Sequence, residues 1–225
     1  MLASLADQAS GDVSPTLAIA LGANLPGPVG SPLATLIAVR PLLEASVRQW
    51  GQSLPRQGEP AKFRWSPLFE TQPVGGPSGQ PNYINAVVLV DGLPPLRAGL
   101  QEESAWATAI TTAEELLEHL LGLELHFGRE RQERWAPRSL DLDLLWWGDL
   151  RCHTPRLQLP HPLWREREFV LAPLASLGAA LGKAAPGPGC KAVALAGRPG
   201  WPEQLEATSL TRTAEHPAES NPNPR

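Results

Sequence analysis

The sequence is short of the residues on which exported or membrane-bound folds depend. It holds two cysteines, Cys152 and Cys190, in 225 residues. Two thiols build neither a disulfide framework nor a cysteine-ligated metal cluster. No apolar run approaches the ~20 residues that a membrane-spanning helix needs. The opening stretch, MLASLADQASGDVSPT, lacks a basic segment followed by an apolar core, so no secretory signal is expected. Excess positive charge is missing too. A formal net charge of −4 speaks against a protein that coats nucleic acid. The expectation is a soluble, cytoplasmic chain with no membrane contact. What is present is a hydrophobic fraction of 42%, enough for a core, in a length that suits one domain.

The ends read differently from the middle. Residues 1–14 are expected to be disordered, and so are 199–225, which close on the polar, Pro-rich TRTAEHPAESNPNPR. Residues 15–198 are expected to form a single domain in which strand-like and helix-like patterns alternate. TLAIALG (16–22) is short, apolar and closed by glycine, as a buried strand is. The stretch after it has helical spacing at Leu33, Leu36, Ile37 and Val47, with Pro41 expected to kink or split the helix. FRWSPLFET and YINAVVLV read as strands flanking the turn-rich QPVGGPSGQPN. A second helix is expected to start at Thr111 or Thr112, each three residues before a glutamate as in a capping box. Residues 93–110, Pro-rich and then polar, read as an inserted loop. A last helix is expected within LWREREFVLAPLASLG, with Pro173 near its end.

Four stretches carry chemistry. In RSLDLDLLWWGDL a strand would turn Leu140, Leu142 and Leu144 to one face and Asp141 and Asp143 to the other. The two carboxylates would then stand roughly 6.5 Å apart along the chain. Alone, this is more often a solvated acidic face than a site for a divalent cation with oxygen ligands, such as magnesium. Just before it, GRERQERWAPR sets Arg129, Arg131, Arg134 and Arg138 against two glutamates. Guanidinium forks suit phosphate oxygens, although a mixed-charge loop would look the same. LPHPLWRERE places His161 between two prolines, followed by Arg165 and Arg167. Finally, the loop from Thr71 to Asn85 contains Tyr83, the chain's one tyrosine. Tyr83 and Asn85 would offer a flat heterocycle a stacking face and an amide, or else form an ordinary hairpin connection.

In combination these stretches resemble one family, the 6-hydroxymethyl-7,8-dihydropterin pyrophosphokinases of folate biosynthesis. The resemblance rests on IALGANLP, FETQPVGGPSGQPNYINAVV, LELHFGRERQERWAPRSLDLDLLWWG and LQLPHPLWREREFVLAPL, in that order. It implies an α/β (α+β) sandwich with a ferredoxin-like core, a mostly antiparallel sheet with helices on its faces. It implies a monomeric enzyme that moves diphosphate from ATP, its co-substrate, to the hydroxymethyl group of the pterin and releases AMP. Asp141 and Asp143 would bind two Mg2+ ions. Arg138, His161 and Arg167 would contact the phosphates, Arg129 and Arg131 would belong to a mobile loop that closes over ATP, and Glu124 would lie on the nucleotide side. Tyr83 and Phe169 would sandwich the pterin, Asn85 would bond its edge, and Thr71 and Val74 would contact it through the backbone. Trp135 would close over it. Ala136 and Leu121 stand where the family more often has glycine and glutamine. Two readings outside the family remain open on the residues alone. One is a two-metal nucleotidyltransferase, which would release pyrophosphate. The other is a single-stranded nucleic-acid binder that uses the arginine-rich stretch.

Overall fold

The computed structural model describes residues 17–54, 60–93, 103–130, 136–179, 191–195 and 197–202. In chain order the elements are β1 (Leu17–Ala23), α1 (Pro32–Gly51), β2 (Lys62–Trp65), β3 (Leu68–Thr71), β4 (Tyr83–Asp91), α2 (Glu103–His126), β5 (Asp141–Trp147), β6 (Cys152–His153), β7 (Gln158–Leu159), a 3-10 turn (Trp164–Glu166), α3 (Glu168–Ser176) and β8 (Val193–Leu195). β1 is buried at every position, as its unbroken small and apolar composition requires of a central strand. The sheet order is β5-β1-β4-β3-β8, with β2 also on β4 beyond β3. All of these pairs are antiparallel.

Period-2 alternation divides the sheet's side chains between two cores. Leu17, Ile19 and Leu21 of β1, Ala86, Val88 and Val90 of β4, and Leu142, Leu144 and Trp147 of β5 pack with α1 and α2. Ala18, Ala20, Val87, Leu89 and Leu145 take the other face, where Val170, Leu171 and Leu174 of α3 cover them. The β1–β5 register shifts between Ala18 and Ile19, so that Ile19 pairs Leu144 and Ala18 pairs Trp146. Leu145 is the extra residue of this bulge. With nine residues, α3 covers only part of its face. The rest, toward Gly22, Asn85 and Asp141, is left open for the cleft described below.

Four expectations need correction. Residues 93–110 are not all loop: 94–102 lie outside the described residues, but α2 begins at Glu103. Thr111 and Thr112 therefore sit inside the helix and are not its caps. Their hydroxyls donate to the carbonyls of Ala107 and Thr108, one turn back, a bond open to mid-helix threonines. Trp106, Ala109, Ile110 and Ala113 give this first half an apolar stripe against the core. Next, α1 is not split at Pro41 but runs on to Gly51. Pro41 lies on its exposed side, and Ser31 caps the start by accepting the Ala34 N–H. Lastly, not all of 199–225 is free of the fold. Trp201 is buried, stands edge-on to Trp65 at 5.1 Å and donates its indole N–H to Ser66 O at 2.8 Å. Residues 1–14 and 203–225 lie outside the described residues.

Candidate active site

The open end of the α3 face is built in rows across the sheet. Gly22 pairs with Asn85 on one side and Asp141 on the other. Ala20 pairs with Val87 and Asp143 in the next row, and Thr71 pairs with Tyr83 at the end of β3. Directly paired residues share a face, so Asn85, Asp141 and Asp143 all project to the side that α3 leaves uncovered. Asp141 and Asp143 thus share a face, opposite Leu142 and Leu144, as the strand reading expects. Gly22 is the floor between Asn85 and Asp141. A Cβ there would lie 2.8 Å from Asn85 Oδ1, closer than real side chains approach.

Above this floor is a cleft of about 270 Å3. Thr71, Val74, Tyr83, Asn85, Arg138, Asp141, Asp143, Arg167 and Phe169 all line it, so nine residues singled out from the sequence meet in one place. Its two ends differ in chemistry. At one, Asn85 Nδ2 donates to Thr71 Oγ1 at 2.8 Å, which fixes the amide and turns its oxygen toward Gly22. Tyr83 and Phe169 add aromatic surface, and the Arg167 guanidinium stands 5.5 Å from the Phe169 ring. Burial pushes the Tyr83 hydroxyl's pKa up, although the neighbouring Arg138 opposes this.

At the other end the charges interlock. Asp141 Oδ1 receives Arg129 at 2.7 Å and Arg138 at 2.9 Å, and Asp143 Oδ2 receives Arg167 at 3.0 Å. Burial, then the charge of Asp141, raises the Asp143 pKa above the usual carboxylate range, and Arg167 pulls it back only in part. Glu124 lies behind this end, buried on α2. It accepts the Leu142 N–H at 2.8 Å and pairs with Arg129. It therefore satisfies an amide on the free edge of β5, between the two aspartates. Burial pushes Glu124 up to about 7, against the Leu142 bond and the Arg129 charge. His161 is part-buried and does not line the cleft. Its Nδ1 accepts the Leu163 N–H at 3.2 Å, so in the neutral ring the proton sits on Nε2. Burial, then Arg167, holds its pKa down at about 4, so the ring is neutral near pH 7 and keeps one donor.

Among the described residues no three acidic, histidine or cysteine groups cluster as a ready metal cage. Asp141 and Asp143 still fit magnesium, which takes one or two carboxylates and completes its shell with water and substrate phosphate. Their mutual repulsion, felt at Asp143, is what a cation between them relieves. Arg131 and Trp135 lie outside the described residues. Gly22, Gln72, Gln80, Leu163 and Glu166 also line the cleft and were not singled out from the sequence. Gly22 was visible only as a glycine closing a strand.

Residues 18–179 match the family model of 7,8-dihydro-6-hydroxymethylpterin-pyrophosphokinase. A 2-amino-4-hydroxy-6-hydroxymethyldihydropteridine pyrophosphokinase of Synechocystis sp. is 40% identical over 114 residues, 51% of this chain and 49% of that protein. Its namesake in Haemophilus influenzae is 32% identical over 160 residues, 71% of this chain and 79% of that one. The mitochondrial folate synthesis bifunctional protein of Arabidopsis thaliana is 37% identical over 125 residues, 55% of this chain and 19% of that protein. The match thus spans about half the length of the Synechocystis relative.

Proposed function

The chain belongs to the 7,8-dihydro-6-hydroxymethylpterin-pyrophosphokinase family, and on that premise we propose that it transfers diphosphate from ATP to the hydroxymethyl group of 6-hydroxymethyl-7,8-dihydropterin and releases AMP, in the making of tetrahydrofolate. One observation carries this reading. A single cleft presents a fixed amide and two aromatic rings at one end, and two carboxylates among arginines at the other.

The pterin lies between Tyr83 and Phe169, with its edge on Asn85 and on the backbone at Thr71 and Val74. Its hydroxymethyl group points toward Asp141 and Asp143. The ATP phosphates lie along Arg129, Arg138 and Arg167, whose forks match phosphate oxygens. His161 adds one neutral donor, and Glu124 and Arg131 serve the nucleotide side. Trp135 closes over the pterin and helps to exclude water, which would otherwise compete as acceptor. Asp141 and Asp143 hold Mg2+, two ions in this reading. When bound, magnesium neutralises the triphosphate and makes the β-phosphorus more electrophilic. The hydroxymethyl oxygen, losing its proton, bonds to the β-phosphorus. The bond from that phosphorus to the oxygen bridging it to the α-phosphorus breaks, and AMP leaves with that oxygen. The enzyme works as a monomer in this reading. Among the described residues no helix is long and apolar enough to cross a membrane, in keeping with work in the cytoplasm.

The test is a product assay with ATP, magnesium and the dihydropterin. One AMP per pterin consumed is expected, with neither ADP nor free pyrophosphate. Asp141→Asn should lower kcat by at least about a hundredfold, on the scale of losing a key electrostatic group. Pterin-dependent ADP or pyrophosphate, or full turnover by Asp141→Asn, would overturn the reading.

A further inference from the structure

Asn24 follows β1 directly and is 1% exposed, yet nothing in the reaction as described uses it. Both sides of its amide are engaged. Oδ1 accepts the main-chain N–H of Arg138 at 2.8 Å. Nδ2 donates to Pro81 O at 3.2 Å and to Gln80 Oε1 at 3.4 Å. Its own main-chain N–H donates to Arg138 O at 3.0 Å, and that of Leu25 donates to the same carbonyl at 3.1 Å. The partners decide which end of the amide is which. An N–H faces the oxygen and a carbonyl faces the nitrogen, so only one orientation satisfies both.

Each side leads to a different part of the cleft. Arg138 is gripped at its backbone by residues 24 and 25, while its guanidinium reaches Asp141 at 2.9 Å. On the far side, Gln80 Nε2 donates to Gly75 O at 3.3 Å and Pro77 O at 3.2 Å. That folds the 72–82 loop, whose Gln72, Val74 and Gly75 face the cleft. The arginine end leads into β5, whereas the loop end joins β3 to β4. Asn24 bridges them away from the cleft's mouth, in a buried place where an unmade hydrogen bond is costly.

We propose that Asn24 is a positioning residue that sets the spacing between the two substrates. One buried amide holds the phosphate-binding arginine and the pterin-side loop at a fixed separation. The attacking oxygen and the β-phosphorus then meet at reacting distance, and ordering one end of the cleft orders the other. This rests on the activity proposed above.

Asn24→Asp tests it, because the change keeps the shape and the acceptor for Arg138 N–H. It removes both donors and sets a carboxylate against the Pro81 carbonyl. Gln80→Ala, at a half-exposed position, loosens the link from the loop side: it removes the bond from Asn24 and those to Gly75 O and Pro77 O, and leaves the one from Asn24 to Pro81 O. For each protein, kcat and both KM values are measured. Binding of the dihydropterin is measured by calorimetry with and without an ATP analogue carrying a methylene in place of the α–β bridging oxygen. In Asn24→Asp, kcat should fall roughly ten- to a hundredfold, as for a misplacement of about 1 Å, with each ligand's separate affinity within about threefold. The strengthening of pterin binding by the analogue in the wild type should vanish in Asn24→Asp and weaken in Gln80→Ala, and the double variant should be no worse than Asn24→Asp. If Asn24→Asp does not fold, Gln80→Ala decides alone. A wild type that shows no mutual strengthening, or variants that retain it together with wild-type kcat, would overturn the proposal while leaving the activity in place. A wild type that makes no pterin-dependent AMP would overturn the activity itself, and this proposal with it.

Discussion

At Gly22 a single hydrogen atom decides whether the amide end of the cleft can form. A methyl group there would press on Asn85 Oδ1 at 2.8 Å, and the oxygen is held in place because Asn85 Nδ2 is tied to Thr71. Gly22→Ala should therefore displace the amide and leave the arginines alone. The expected outcome is a KM for the pterin raised roughly tenfold, the scale of one well-made hydrogen bond, with the KM for ATP little changed. Equal rises in both constants, read by steady-state kinetics, would show that Gly22 supports the whole cleft and not its amide end. The difference between Gly22 and Asp141 also shows what a sequence reveals of a site. Asp141 and Asp143 stand out as charge at alternate positions of a greasy strand, and the arginines just before them turn that pattern from a solvated face into a candidate site. Gly22, Asn24 and Gln80 owe their roles to partners far along the chain, Asn85, Arg138 and Pro81 among them. Nothing in their immediate neighbours marks those partners.

Among the elements, the longer strands were legible, the short β6, β7 and β8 were not, and the ends of the helices were less so than their middles. β1, β4 and β5 are apolar runs closed by glycine or aspartate, and such runs have few other homes. The first half of α2 was hidden because its alanines and threonines form no amphipathic pattern as sharp as the leucines that follow. Trp106 and Ile110 reveal their face only once the core they meet is known. Trp201 was hidden for the opposite reason. It stands in Pro- and Gly-rich chain, where its burial depends on β8 pairing with β3 and on the groove beside Trp65. That strap should contribute measurably to stability. Trp201→Ala removes a buried ring, its edge-on contact with Trp65 and the bond to Ser66 O. The expected loss is about 3 kcal/mol, the low end for deleting a buried tryptophan, read as a lower urea midpoint with unchanged slope. An unchanged midpoint would mean that the strap rests on the sheet without stabilising it.

For the whole molecule, composition and alternation announced a layered α/β chain, but not which strands are neighbours. Strand order is set by pairings such as Leu17 with Val90, whose members give no local sign of each other. The same long-range assembly buries titratable groups, His161 and Glu124 among them, whose effects on stability oppose. His161 takes up its proton near 6.5 when unfolded but near 4 when folded. Between those values the unfolded chain binds more protons, so this contribution is full above about pH 6.5 and is lost as pH falls toward 4. Glu124 is shifted the other way, to about 7 from 4.5. Its contribution is full below about pH 4.5 and is lost as pH rises through 7. Where the two windows overlap the slopes oppose, so the wild-type stability curve should be flatter than either group alone would make it. His161→Gln loses the His161 slope, so its stability, relative to wild type, should fall as pH rises from about 5 to 6.5. Glu124→Gln loses the Glu124 slope, so its stability, relative to wild type, should rise over the same range. Urea denaturation of the three proteins at several pH values separates these trends. Curves that run parallel would mean that neither group's proton affinity changes on folding.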